Sequence, residues 1–396
     1  MHNKILASGA DIAFYAPLKS VDHPVPSGDR KIARLFVQAL QHGGYKVQQV
    51  SRLRSFDKRG DPLWQQRIIA IATSEAARIL RRWKKQQYRP SAWFSYHLYY
   101  KAPDLIGPLI CRQLNIPYIV AEASWAAKRA AGRWSLFHQQ VDIALKQACR
   151  VVCINPVDKI ALDSYYLTLQ RPKSQVRLLK AFIAPAEHNP NIEPVKQRLQ
   201  LAAQFALNPG QPWLIVIAMM RSGDKYHSYQ LLAKVTAQLQ QRSQVLIVGS
   251  GENAAAVKSL FADQKHVFFA GAVDNSQIQI LLPQFELLIW PAINEALGMV
   301  FLEAQQVGVA VVAGRQGGVD SLIEDGVTGR LVTATDSHAM AAAVDSLLAD
   351  SALLTKMQRA AATHVLEHHS LAAAATQLQQ IIKESLANPQ PPEDDQ

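Results

Sequence analysis

Cysteine is scarce: Cys111, Cys149 and Cys153 make three in 396 residues, an odd number with no C-x-x-C pair. That excludes a disulfide framework and offers no zinc-ribbon spacing, so reduced thiols in a cytoplasmic protein are expected. No apolar run approaches the roughly 18 residues of a membrane span; "WLIVIAMM" has the length of a strand. The opening "MHNKILASGADIAFYAPL" lacks the apolar core and small-residue cleavage site of a signal peptide. No internal repeat at solenoid periods is present. No nucleic-acid recognition motif or stacking platform accompanies the basic charge, which speaks against nucleic acid as a partner.

What is present is an ordinary globular composition, 49% hydrophobic and 18% charged, in a chain longer than one core usually organises. The net charge of +11 is unevenly spread. Residues 1–190 carry 29 Lys and Arg against 12 Asp and Glu, whereas residues 191–396 carry 13 against 19. An acidic surface or substrate is therefore expected to meet the first half.

Short apolar runs alternate with amphipathic helical segments through both halves. Strands are expected in "DIAFYAPL", "YKVQQVSRL", "AWFSYHL", "PYIVAEAS" and "RVVCIN", then in "PWLIVIAMM", "QVLIVGS", "HVFFAGAV", "LLIWPA" and "VAVVAG". Gly, Pro or polar turns bound these runs, as in parallel sheets covered on both faces. The expected class is α/β, with two doubly wound Rossmann-like domains. "AFIAPAEHNPNIEP" (residues 181–194), where prolines and a charge reversal coincide, marks the boundary. This gives a first domain at 1–185, a second at 186–370, a helix at 371–387 returning to the first domain, and a disordered Pro-rich, acidic tail at 388–396.

In "NEALGMVFLEA" one glutamate stands in a strand-to-helix loop and a second inside the helix. Pro291 stops the strand, and the helix "MVFLEAQQVG" should run to Gly308 with Val300, Ala304 and Val307 on its buried face. In open α/β sheets ligands lie beyond the carboxyl ends of the strands, where this loop falls. Gly298 lets a ligand approach, and the N–H groups starting the helix at Met299 and Val300 suit a phosphate. Glu303, roughly 7 to 8 Å along the axis, could accept hydrogen bonds from neighbouring hydroxyls, and Glu295 could meet a group on the other side. A nucleotide sugar has that layout. Two glutamates at one spacing also arise by chance as solvated charges.

The span from "GAVDNSQIQILL" through "NEALGMVFLEA", "GVAVVAGRQGGV" and "EDGVTGRLV" resembles the donor-binding half of the family 4 retaining glycosyltransferases (glycosyltransferase group 1). The resemblance covers most of residues 210–335 and is thinner before them. It implies the GT-B fold, with an interdomain cleft, and places Glu295 at the donor sugar and Glu303 on the ribose. Arg221 and Lys225 in "MMRSGDK" would neutralise the diphosphate leaving group. Gly249 and Gly251 in "VGSGE" would let the chain turn under the nucleotide, and Val273 would pack against the base. In the first domain, "PVPSGDRKIARLFVQAL" makes Ser27 a candidate N-cap and Gly28 a point of ligand approach, facing acceptor or donor phosphate. His97, in "FSYHLYYKAPD", and Glu122, in "VAEASW", end strands whose tips should point into the cleft; family members often carry a His or an acid there. A lone His is also often structural.

In "WQQRIIAIATSEAARILRRWKKQQ", Ile68, Ile69, Ala72, Ala76, Ile79, Leu80 and Trp83 share one face and Arg67, Arg78, Arg81 and Lys85 the other. That basic stripe, with "WAAKRAAGRW", suggests docking on an anionic membrane surface or a polyanionic acceptor.

The expectation is a metal-independent retaining glycosyltransferase, moving a hexosyl group from a nucleotide diphosphate sugar to a glycan or lipid-linked acceptor. Polysaccharide or lipopolysaccharide biosynthesis would be its setting. No cofactor and no metal site are expected; Asp-x-Asp is absent. It would be cytoplasmic or peripheral at the inner face of the cell membrane. The alternatives are a nucleotide-sugar epimerase of the same fold and a non-catalytic scaffold that binds sugar nucleotides.

Overall fold

The computed structural model describes residues 9–25, 27–186 and 193–389. It separates into two compact units, residues 1–180 with 371–396, and residues 181–370. The tail at 390–396 and residues 187–192 lie outside the described residues.

The first unit contains strands β1 (Asp11–Tyr15), β2 (Lys46–Gln49), β3 (Ala92–Leu98), β4 (Tyr118–Ala123), β5 (Arg150–Cys153) and β6 (Val176–Leu178). Its helices are α1 (Gly28–His42), α2 (Pro62–Lys85), α3 (Gly107–Leu114), α4 (Ser135–Gln147) and α5 (Pro156–Thr168). All its strands are parallel, in the order β2-β1-β3-β4-β5-β6. The order reverses between β1 and β3, which opens a crevice beyond their carboxyl ends.

Local chemistry fixes where the helices begin. Ser27 caps α1 by accepting the Arg30 N–H at 3.2 Å. Asp61 caps α2 and Asn155 caps α5, each followed by proline at the first helical position, where the missing N–H costs nothing. On α2 the apolar stripe is buried at Ile68, Ala72, Ala76, Ile79 and Trp83, while Arg67, Arg78, Arg81 and Lys85 stay exposed.

The second unit contains α6 (Pro194–Phe205), α7 (Asp224–Gln238), α8 (Ala254–Ser259), α9 (Asn275–Leu281), α10 (Met299–Gln306), α11 (Ser337–Ala349) and α12 (Ser351–His368). Its strands are β7 (Trp213–Ile217), β8 (Gln244–Val248), β9 (Val267–Gly271), β10 (Leu287–Trp290), β11 (Ala310–Arg315) and β12 (Gly329–Thr333). They too are parallel, ordered β12-β11-β10-β7-β8-β9, so the crevice lies between β7 and β10. The last helix, α13 (Leu371–Ala387), belongs to the first unit, where Gln379 Nε2 donates to the Gly43 carbonyl at 2.6 Å.

Each sheet therefore has six strands, where the apolar runs suggest five. The missed ones, β6 and β12, lie at the ends of their sheets. β6 has three residues, and β12 alternates buried and exposed positions, so neither reads as an apolar run.

Candidate functional site

The second unit holds a cavity of about 590 Å³ at the carboxyl ends of β7, β8, β9 and β10. Its lining includes Arg221 and Lys225 after β7, Gly249 and Gly251 after β8, and Val273 after β9; Glu295, Gly298, Met299 and Val300 follow β10. Residues far apart in sequence meet there because the strand order reverses between β7 and β10.

Three local devices shape the cavity. Gly249 has φ +151°, and a Cβ there would stand 1.9 Å from the Ala218 carbonyl oxygen, so only glycine lets β8 leave this close to the end of β7. Gly298 starts α10 in the left-handed conformation, φ 75° and ψ 63°, with no side-chain cap, leaving the first N–H groups of the helix for a ligand. Asn294, itself left-handed at φ 51°, is held by Nδ2 donating to Asp224 at 2.9 Å and by its N–H donating to Gln316 at 3.0 Å.

Charge is matched inside the cavity. The Lys225 ammonium pairs with the Glu295 carboxylate, which also accepts the Trp290 indole N–H at 3.4 Å. The same ammonium lies 5.4 Å from the centre of the Trp290 ring. Arg221 is exposed at the rim. Glu303 sits one turn deeper on α10, partly buried, and is not among the lining residues.

One expected feature is corrected. α10 buries Phe301, Leu302, Ala304 and Gln305 rather than the stripe through Val300, Ala304 and Val307. Val300 faces the cavity, Val307 is the C-cap, and Gly308 follows the helix end at φ +77°. A three-position apolar pattern reads equally well on two neighbouring stripes of a short helix that has hydrophobic residues on most sides.

In the first unit, Ser27, Gly28, His97 and Glu122 lie at the carboxyl ends of β1, β3 and β4. His97 and Glu122 are both left-handed, at φ 59° and 57°, a strained state for such residues that clusters at ligand sites. His97 Nδ1 contacts Asp29 Oδ1 at 3.0 Å. That contact lowers the Asp29 pKa despite partial burial. Glu122 accepts the Ile154 N–H at 2.6 Å. Burial pushes its carboxyl up to about 7 against that bond, with the Asp158 charge adding to the rise.

Sequence reasoning missed Asp29, Asp158, Trp290 and Asn294. For Asp29 a signal existed: an acid in the first turn directly after a capping serine and a glycine. Trp290 reads as plain strand core, and its contact with Glu295 depends on the turn between them.

Residues 202–364 match the family model described as "Glycosyl transferases group 1". The D-inositol 3-phosphate glycosyltransferase of Corynebacterium aurimucosum is 28% identical over 184 residues, 43% of this chain and 44% of the relative. The match thus spans under half of that curated relative. Among solved structures, a glycosyltransferase from Rickettsia africae superposes with a TM-score of 0.71 at 18% identity, over 97% of this chain and 100% of its own. Anabaena Alr3699/HepE, crystallised with UDP and glucose, superposes at 0.67 with 13% identity, over 95% and 100%. Among the described residues no helix is long and apolar enough to cross a membrane. The fold is GT-B, and residues 202–364 are similar to the group 1 glycosyl transferases.

Proposed function

We propose that the protein is a retaining, metal-independent glycosyltransferase that takes a hexosyl group from a nucleotide diphosphate sugar and passes it to a glycan or lipid-linked acceptor. The observation that carries this reading is the convergence of Arg221, Lys225, Glu295 and the uncapped start of α10 on one cavity at the β7/β10 switch. A diphosphate fits there, with its charge met by the helix N–H groups, Arg221 and Lys225 in place of a metal ion. Val273 would lie against the base, Gly249 and Gly251 under the nucleotide, and Glu303 on the ribose. Lys225 would then exchange part of its contact with Glu295 for phosphate, freeing that carboxylate to hold the donor sugar.

In the reaction the bond from the anomeric carbon to the diphosphate oxygen breaks, and a bond to the acceptor oxygen forms on the same face. The acceptor proton passes to the departing phosphate. Exclusion of water limits donor hydrolysis. His97 and Glu122, at the carboxyl edge of the first unit, would orient the acceptor and the transferred sugar, and Ser27 and Gly28 would face acceptor or phosphate. The acceptor class fits polysaccharide or lipopolysaccharide assembly, with the basic first unit near an anionic membrane surface at the inner face of the cell membrane. UDP in one structural relative and a phosphorylated acceptor in the name of a sequence relative agree with such chemistry.

The test is a melting-temperature screen of wild type and Glu303→Ala with UDP, GDP and ADP, followed by product analysis. One diphosphate should stabilise the wild type by mass action, Glu303→Ala should lose that response, and the product should keep the donor's anomeric configuration. Stabilisation by none of the three, or an inverted product, overturns the reading; product formed without acceptor points to an epimerase.

A further inference from the structure

We infer that the first unit carries an acceptor subsite for the anionic group of a phosphorylated saccharide, built from Lys101 and Arg129 held on the Tyr100–Trp134 aromatic pair. The inference rests on the transferase reading and specifies the acceptor that it leaves open. Tyr100 and Trp134 meet edge to face with ring centres 5.6 Å apart. The Arg129 guanidinium lies 4.6 Å from the centre of Tyr100 and 5.7 Å from that of Trp134, and the Lys101 ammonium 5.6 Å and 5.2 Å from the same two. Among the described residues neither cation is in an ion pair with a carboxylate. Two long side chains are thus placed by ring faces, with their N–H donors unspent and much of their rotamer freedom already lost.

The ground beneath them is fixed. The Lys101 carbonyl accepts the Asp57 N–H at 2.8 Å, and the Trp134 indole donates to the Asp57 carbonyl at 3.2 Å. The two carboxylates in this loop are consumed by local structure. Asp57 accepts the N–H groups of Arg59, Gly60 and Asp61, each at 2.9 Å, and the Gln65 amide at 2.7 Å. Asp61 caps α2. Both carboxylates serve as acceptors for local donors, which leaves Lys101 and Arg129 to an incoming anion. Lysine and arginine at such a point bind phosphate by charge-assisted hydrogen bonds.

Position supplies the rest. An aromatic path joins the subsite to the candidate catalytic edge: Trp134 to Tyr100, Tyr100 to Tyr99 at 5.5 Å, and Tyr99 to His97 at 5.2 Å. The anion would therefore be held at the far end of that ring path from His97, and a sugar ring between them would carry a hydroxyl toward the histidine. An acceptor held in this way presents a hydroxyl at His97 while its charge is anchored at Lys101 and Arg129.

The experiment uses the full chain with saturating UDP, so that the donor phosphate site is occupied. Calorimetry then compares a panel of hexose 1-phosphates and 6-phosphates with the same unphosphorylated hexoses, in wild type and in a Lys101→Gln, Arg129→Gln double variant. The expected result is that the phosphorylated probes bind wild type at least about tenfold more tightly than their neutral counterparts, and that the double variant loses that margin. UDP binding, measured separately, should be the same in both proteins; its absence in wild type would count against the transferase reading and not against this subsite. Failure of every phosphorylated hexose to bind wild type overturns the inference. So does equal binding by the double variant, or binding of phosphatidylglycerol vesicles, lost in the variant, in place of the soluble probes. A Tyr100→Phe variant keeps both rings and the Trp134 bond to Asp57 and should retain at least half of the wild-type margin, which guards against misreading a folding defect.

Discussion

The two units use the same kind of crevice differently. In the second it is shaped by main chain: β8 leaves its strand so close to the Ala218 carbonyl that a methyl group at Gly249 would collide with it, and α10 begins on a bare glycine. Its charge is largely matched before any ligand arrives, through Lys225 and Glu295. In the first unit the crevice is furnished by side chains. His97 and Glu122 present their side chains from left-handed backbone at strand ends, and aromatic rings run from His97 to Lys101 and Arg129, which are in no ion pair among the described residues. Strain of that kind costs about 1–3 kcal/mol per residue, and Asp29 and the Ile154 N–H hold the two side chains in place. A backbone-lined crevice suits a group that never changes, such as a diphosphate, whereas a side-chain-lined one suits a partner that differs from protein to protein.

The comparison breaks most sharply at Lys225. Lys225→Met keeps the stem against Trp290 and removes the charge. Turnover should fall by roughly 10²–10³, the usual loss when one donor to a developing anion is deleted, while the melting temperature changes little. A steady-state assay with the identified nucleotide sugar decides this, and a loss below tenfold would place the leaving-group charge elsewhere. Next comes Gly249→Ala, which should destabilise the second unit by about 3 kcal/mol through overpacking and backbone strain. Urea denaturation followed by tryptophan fluorescence measures it, and a variant as stable as wild type would show that the close approach of β7 and β8 is not needed.

On the first unit's side, Glu122 gives a pH dependence. Its carboxyl titrates near 7 in the folded protein against 4.5 for an ordinary glutamate, so the folded state favours the neutral form. Its contribution is therefore fully present below about pH 4.5 and is lost as pH rises through 7, a swing on the order of 3 to 4 kcal/mol. Glu122→Gln is neutral throughout. Melting temperatures at pH 5.5 and pH 8 should show wild type losing stability relative to the variant, and parallel curves would mean that Glu122 ionises as an exposed acid does.

The same contrast explains what was legible in the sequence. The second unit's crevice is encoded in contiguous words, "MMRSGDK", "VGSGE" and "NEALGMVFLEA", because a main-chain crevice needs particular residues at particular turns. Their meeting in one cavity follows from the strand order, and only Glu303 falls outside its lining. The first unit's crevice is written in single residues separated by tens of positions. Ser27 and His97 stand out as a cap and a strand-end histidine, but the Asp29 partner, the left-handed backbone of His97 and Glu122, and the cations on Tyr100 and Trp134 depend on tertiary contacts that no local pattern carries. The edge strands β6 and β12 escape for a related reason, since a strand that is short or half-exposed lacks the continuous apolar run of a central one.

Ser27 gives the smallest expected effect and the sharpest contrast between cap and ligand. Its Oγ accepts the Arg30 N–H, so part of its role is to start α1. Ser27→Ala removes an N-cap and should cost about 1 kcal/mol, or roughly 2–4 °C in a unit of this size. Ser27→Asp keeps an acceptor at the same place and adds a negative charge beside Asp29, which the α1 N-terminus tolerates. If Ser27 acts only as a cap, Ser27→Asp should match wild type in melting temperature and in transfer rate. If the first unit's crevice receives an anionic acceptor, Ser27→Asp should match wild type in stability yet raise the acceptor KM several-fold, because the added carboxylate repels what Lys101 and Arg129 attract. Melting curves and acceptor titrations on the two variants separate these outcomes, and an unchanged KM in Ser27→Asp would confine the acceptor's charge to a place beyond the reach of α1.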